Sequence, residues 1–115
     1  IVASATNTAA GSTNGLIDVK AKYGGIITMK ITNGATAPTL PCRVYVFISH
    51  EDTLPAAEDS SWKSIWGFSG TTVANESITQ AFTFGPEIRN IKVLFNGNTA
   101  QDVTVEALAS LYEIS

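Results

Sequence analysis

Two groups of side chains have the types and spacing to do chemistry. One is an acidic stretch, His50-Glu51-Asp52 followed by Glu58-Asp59, with Pro55 between them. Carboxylate oxygens on a flexible loop are the donors that calcium prefers. The spacing does not follow the EF-hand loop, and the glycine of that loop is missing. A solvated surface loop is the favoured reading, since connecting segments are polar and exposed by default. No metal and no other cofactor is expected. The other group is Trp62 and Trp66, four residues apart with Ser61, Lys63 and Ser64 beside them. On an uninterrupted strand both indoles point to one face. Exposed aromatic platforms of this kind stack on sugar rings. A plug in the core or a subunit contact is favoured instead, because Trp is large, apolar and enriched at interfaces.

Nothing else assembles into a catalytic set. Cys42 is the single cysteine, so no internal disulfide forms. It opens an apolar run and reads as a small buried hydrophobe. A nucleophilic cysteine needs a positioned base. His50 is the single histidine, and it lies at the far end of the same strand, more than about 20 Å away in extended chain. Glycoside hydrolysis needs two carboxyls facing each other across a cleft. Glu76, Glu87, Glu106 and Glu113 are scattered near strand ends, and nothing in their spacing pairs them. No glycine-rich phosphate loop occurs. The expectation is a protein that is not an enzyme.

Composition narrows the class further. At 115 residues the chain is one domain. It is 44% apolar but only 15% charged, against about 25% in an average domain. Thr, Asn, Ser and Gly fill the difference, and they suit pleated surfaces and tight turns. The net charge is −3 and the seven Lys and Arg are dispersed. A nucleic-acid binder clusters its basic residues, so that partner is set aside. No apolar run approaches the roughly 20 residues of a membrane-spanning helix, and an acidic surface avoids anionic lipid, so no membrane partner is expected.

The elements that must position the two groups are strands. Pro41 to Ser49 is the longest run of strand-favouring residues, with Val44, Val46 and Ile48 on one face and Arg43, Tyr45, Phe47 and Ser49 on the other. Neither face is wholly polar, which predicts an inner strand covered on both sides. Alternation also predicts strands over Leu16 to Lys22, Ile26 to Thr32, Trp62 to Phe68, Glu76 to Phe84, Ile88 to Phe95 and Asp102 to Ile114. Tyr23-Gly24-Gly25 reads as a hairpin turn, and Asn33-Gly34 and Asn96-Gly97-Asn98 read as further turns. The long last strand is expected to bend or to carry a bulge near Ala109. Residues 1–14 read as a flexible N-terminal arm, and residues 15–115 as a single β-sandwich domain. Seven or eight strands without a helical period predict an all-β fold: an antiparallel two-sheet β-sandwich, jelly-roll or immunoglobulin-like.

With the strand order laid out, the chain resembles the small β-sandwich virion proteins of tailed bacteriophages. The resemblance rests on Ile17-Asp18-Val19 through Tyr23-Gly24-Gly25 to Ile31-Thr32-Asn33-Gly34, and on Cys42 to Ser49 leading into an acidic loop. It closes on Ile91-Lys92-Val93, Asn96-Gly97-Asn98-Thr99 and Val103-Thr104-Val105-Glu106-Ala107. It implies a structural subunit of the virion, such as a capsid decoration or cement protein or a head or tail accessory protein. The partners it implies are copies of the chain itself and other virion proteins, the major capsid protein among them. The interface residues expected on this reading are Ile1, Val2, Glu51, Asp52, Trp62 and Trp66. The competing expectation is a carbohydrate- or receptor-binding module that takes a glycan on Trp62, Trp66 and Tyr45.

Overall fold

Alternating apolar residues leave each strand one face to hide, and two sheets stacked face to face hide them all. The computed structural model describes residues 2–19 and 22–113. Its strands are β1 (Val2–Asn7), β2 (Ser12–Asp18), β3 (Lys22–Asn33), β4 (Arg43–Ser49), β5 (Lys63–Ser69), β6 (Ser77–Phe84), β7 (Asn90–Asn96) and β8 (Val103–Glu113). They form two antiparallel four-stranded sheets, ordered β1-β8-β3-β6 and β2-β7-β4-β5. The expected β-sandwich is present. Between the two variants, the strand order is that of a jelly roll. The chain crosses from sheet to sheet at every connection except β4 to β5.

The core lies between the sheets. Ile27, Met29 and Ile31 of β3 and Val103, Val105 and Ala107 of β8 face Val44 and Val46 of β4 and Ile91, Val93 and Phe95 of β7. All are buried, and burying each of the larger ones contributes about 2 kcal/mol. Cys42 joins them with no exposed surface, and burial pushes its thiol up to about 11. It is packing, as its sequence setting indicates. Trp66, Phe68 and Phe82 flank this core and are half-buried.

Four local expectations are corrected. The described part of the expected arm, residues 2–14, is built into the sheets: β1 pairs with β8, with Val2 opposite Ala107, and β2 pairs with β7 from Ser12 to Asp18. Val2, expected at an interface, is 5% exposed and belongs to the core; Ile1 lies outside the described residues. Tyr23-Gly24-Gly25 is not a hairpin turn but part of β3, because β2 and β3 face each other across the core instead of pairing. The backbones of β6 and β8 come too close there for a side chain. A Cβ on Gly24 would strike the Phe84 carbonyl, and one on Gly25 the Ser110 carbonyl. Finally, β8 runs in register past Ala109, and the irregularity falls between Lys22 and Gly24 of β3.

Candidate functional site

The sheet β2-β7-β4-β5 turns one face to the core and the other outward. Its register sets the outward side chains in rows across the strands. Asn14, Leu94, Tyr45 and Gly67 make the middle row. Leu16, Lys92, Phe47 and Ser64 make the row on one side of it, and Ser12, Asn96, Arg43 and Ser69 the row on the other. The face thus has an aromatic strip on β4, Asn96, Leu94 and Lys92 beside it on β7, Ser12, Asn14 and Leu16 beyond them on β2, and Ser64, Gly67 and Ser69 on β5.

The strip is half-exposed. The Tyr45 and Phe47 rings have centroids 6.5 Å apart and are tilted by 50°. A Cβ placed on Gly67 would stand 3.6 Å from Tyr45 Cδ1, so the Tyr45 ring lies alongside the bare glycine. Gly67, Ser64 and Ser69 are its partners on that flank, where the inserted residue Ile65 is 42% exposed.

One end of the face is walled by the segment from His50 to Trp62, which folds back over the sheet. Asn90 Nδ2 donates to Glu51 O at 2.8 Å and Lys92 Nζ to Ala57 O at 2.8 Å. Trp62 Nε1 donates to Ala56 O at 2.8 Å, and Ser49 Oγ lies 3.0 Å from Ser61 Oγ. Lys92 Nζ sits 4.3 Å from the centre of the Phe47 ring and 5.6 Å from that of Trp62. Such contacts hold a cation between aromatic faces. Burial lowers the Lys92 pKa, and the nearby Glu58 charge opposes that shift.

The other end opens into a cleft of about 240 Å³ lined by Leu40, Pro41, Arg43, Tyr45 and Gly97. Its walls are stapled to each other. Thr39 N donates to Thr99 O at 3.0 Å, and Leu40 N to Thr99 Oγ1 at 3.1 Å. Leu40 is 57% exposed at the mouth. Gly97 adopts φ 99°, a conformation that glycine tolerates and other residues resist.

The tryptophans do not form a platform. Opposite Val46 and Phe47, β5 carries an extra residue, Ile65, which shifts the register. A bulge of this kind reverses which face later side chains take. Trp66 therefore faces the core, with ring centroids 5.7 Å from both Phe68 and Phe82. Trp62 lies on the outward face, 7% exposed beneath its own loop. Tyr45 alone of the expected sugar-stacking residues is accessible on this face.

The acidic loop is shallow and polar. It surrounds a hollow of about 480 Å³ lined by Glu51, Asp52, Thr53, Leu54, Pro55 and Asp59. Asp52 pairs with Arg89, and Asp59 Oδ1 accepts from Ser61 N at 2.8 Å. The Ser61 backbone N–H, and then its hydroxyl, hold the Asp59 carboxyl below the usual range. These two carboxylates turn to separate partners. Among the described residues, no three His, Cys, Asp or Glu side chains converge to hold a metal.

Comparison with known proteins adds a likeness of fold. No protein-family model and no curated protein sequence matches the chain. Solved structures do. One is titled Family 16 Carbohydrate Binding Module-2, with a TM-score of 0.55 and 14% identity over 96% of this chain and 76% of that one. Another is the Yersinia pseudotuberculosis-derived mitogen, with a TM-score of 0.54 and 9% identity over 100% of this chain and 87% of that one. At such low identity the likeness is one of fold.

Phe47, Lys92, Arg43 and Gly67 were not singled out by sequence. A signal was present for two of them: Arg43 and Phe47 alternate with the core valines of β4. Lys92 and Gly67 join them only through the strand order.

Proposed function

We propose that this chain is a non-catalytic binding domain whose ligand is a carbohydrate, laid across the outward face of the β2-β7-β4-β5 sheet. The observation that carries this reading is the Tyr45–Phe47 strip, flanked on β5 by Ser64 and Gly67 and on β7 by Leu94, Lys92 and Asn96, with Ser12 and Asn14 beyond them on β2. Ligand sites combine apolar and aromatic surface with a few polar groups that fix orientation. A sugar ring presents a C–H face to Tyr45 and hydroxyls to the amides. The cleft beside Arg43 and Gly97 receives one end of the chain of sugars, and the Trp62 wall limits the other. The likeness in fold to a protein titled a carbohydrate-binding module supports the same reading.

The test is binding to a broad panel of oligosaccharides, followed by titration of the best ligand against Tyr45→Ala. The substitution is expected to weaken binding at least tenfold, about 1.4 kcal/mol, with an unchanged circular dichroism spectrum. Absence of binding across the panel, or wild-type affinity in Tyr45→Ala, overturns the reading. A virion subunit is a separate proposal that rests on the pattern of strands and turns. Neither similar structure named above is a virion protein, and co-sedimentation with phage heads is its test.

A further inference from the structure

The sandwich has four sheet edges, and they differ in how open they are to another strand. An exposed edge offers unpaired backbone N–H and C=O groups, and proteins blunt such edges with bulges, charges or proline. β1 is broken by an irregularity between Val2 and Ala5. β5 carries the Ile65 bulge. β2 is interrupted by Gly15 and ends on Asp18. β6 has none of these devices. It runs Ser-Ile-Thr-Gln-Ala-Phe-Thr-Phe, without charge, proline or glycine. It pairs with β3 in unbroken register from Thr32 opposite Ser77 to Gly25 opposite Phe84.

The flank beside it is apolar. Trp66 of β5 packs on Phe82 of β6 across the margin of the core, and both are half-buried, as are Phe68 and Ile78. The core is incompletely covered along this side.

We propose that β6 is a self-association edge, which pairs antiparallel with β6 of a second copy about a two-fold axis at Gln80. Antiparallel partners share a face, so a strand pairing with itself matches residues of like parity. With the axis at Gln80, Ile78 falls opposite Phe82 twice, extending the core face over the Trp66–Phe82 margin. Thr79 falls opposite Ala81, and Ser77 opposite Thr83, on the outward face. Aromatic and β-branched cross-strand pairs of this kind stabilise antiparallel sheets. Glu76, just before the strand, falls opposite Phe84 and not opposite its own copy. The two four-stranded sheets become one continuous sheet. A two-fold, self-complementary contact closes on itself and stops at the dimer. The proposal is independent of the carbohydrate reading, because β6 belongs to the opposite sheet.

Sedimentation of the full chain over micromolar to near-millimolar concentrations tests it, alone and as Gln80→Lys and Gln80→Glu. Gln80 is exposed in the single chain, and circular dichroism checks that each variant is folded. The wild type is expected to dimerise. Each charged variant sets like charges against each other at the axis and weakens association at least about tenfold. An equimolar mixture of the two variants restores the dimer. A wild type that stays monomeric throughout, or variants that dimerise as the wild type does, overturn the proposal. So does a mixture that stays monomeric.

Discussion

Asn7 and Asn98 lock two loops from opposite ends of the chain through their buried carboxamides. Asn7 Nδ2 donates to Asn98 Oδ1 at 2.6 Å, and Asn98 Nδ2 donates back to Asn7 O at 3.1 Å. Asn98 Nδ2 also reaches Gln101 O at 2.9 Å, while Thr13 Oγ1 donates to Asn7 Oδ1 at 2.7 Å. The pair is nearly water-free, with exposures of 1% and 0%. It ties the β1–β2 loop to the β7–β8 loop beside the proposed binding cleft. Asn98→Ala strands these partners in a buried site and is expected to cost about 3 kcal/mol. Urea denaturation measures it, as a lower midpoint with an unchanged slope.

Cys42 is expected to be inert in the native protein. Its thiol has no exposed surface, and its pKa is raised by burial from 9.0 to about 11. A thiol-reactive disulfide reagent at mildly alkaline pH is therefore expected to react only after denaturant is added. The same shift carries a pH dependence. Between 9.0 and about 11 the unfolded thiol has lost its proton while the folded one keeps it. The unfolded chain then binds fewer protons, so this group's contribution to stability falls as pH rises through that window. Cys42→Val removes that fall, which denaturation midpoints across alkaline pH will show.

Lys92 pins the wall of the proposed site, since its ammonium holds Ala57 O and lies over Phe47. Lys92→Met keeps the apolar stem and removes the anchor. Faster amide exchange at residues 56–58 is expected, with global stability changed by less than about 1.5 kcal/mol. Because burial lowers the Lys92 pKa, the unfolded chain binds more protons just below the ordinary value. Stability from this group therefore rises with pH there, opposite in sign to Cys42. The methionine variant loses that rise.

Gly67 is held free of a side chain by its neighbour strand. A Cβ there would stand 2.6 Å from Val44 O, far inside contact distance. Gly67→Val is expected to cost about 1–3 kcal/mol through overpacking. It also raises a branched side chain beside Tyr45, so the remaining folded protein is expected to bind glycan less well. Thermal unfolding and titration on the same sample separate the two effects.

Alternation alone located most strands. The valines of β4, Ile91, Val93 and Phe95 of β7 and the Val103–Ala107 face of β8 announce their buried sides, because a strand repeats every second residue. The jelly-roll order was not legible. Tyr23-Gly24-Gly25 looks like a hairpin turn, yet its glycines serve close backbone approach to Phe84 and Ser110. Local sequence does not distinguish a turn glycine from a crowded-strand glycine, since the crowding comes from residues far along the chain.

The proposed site divides in the same way. Sequence by itself determined that this is an all-β chain with a buried, unreactive Cys42 and with Tyr45 and Phe47 on one face of β4. Each of those follows from residue type and a period of two. Only the tertiary structure decided that Trp62 and Trp66 part company, because a single inserted residue at Ile65 reverses the faces. It alone brought Lys92 under Trp62, Gly67 beside Tyr45, and Arg43 and Gly97 around one cleft. Those neighbours are set by pairing between strands distant in the chain, and pairing register is a property of the whole sandwich.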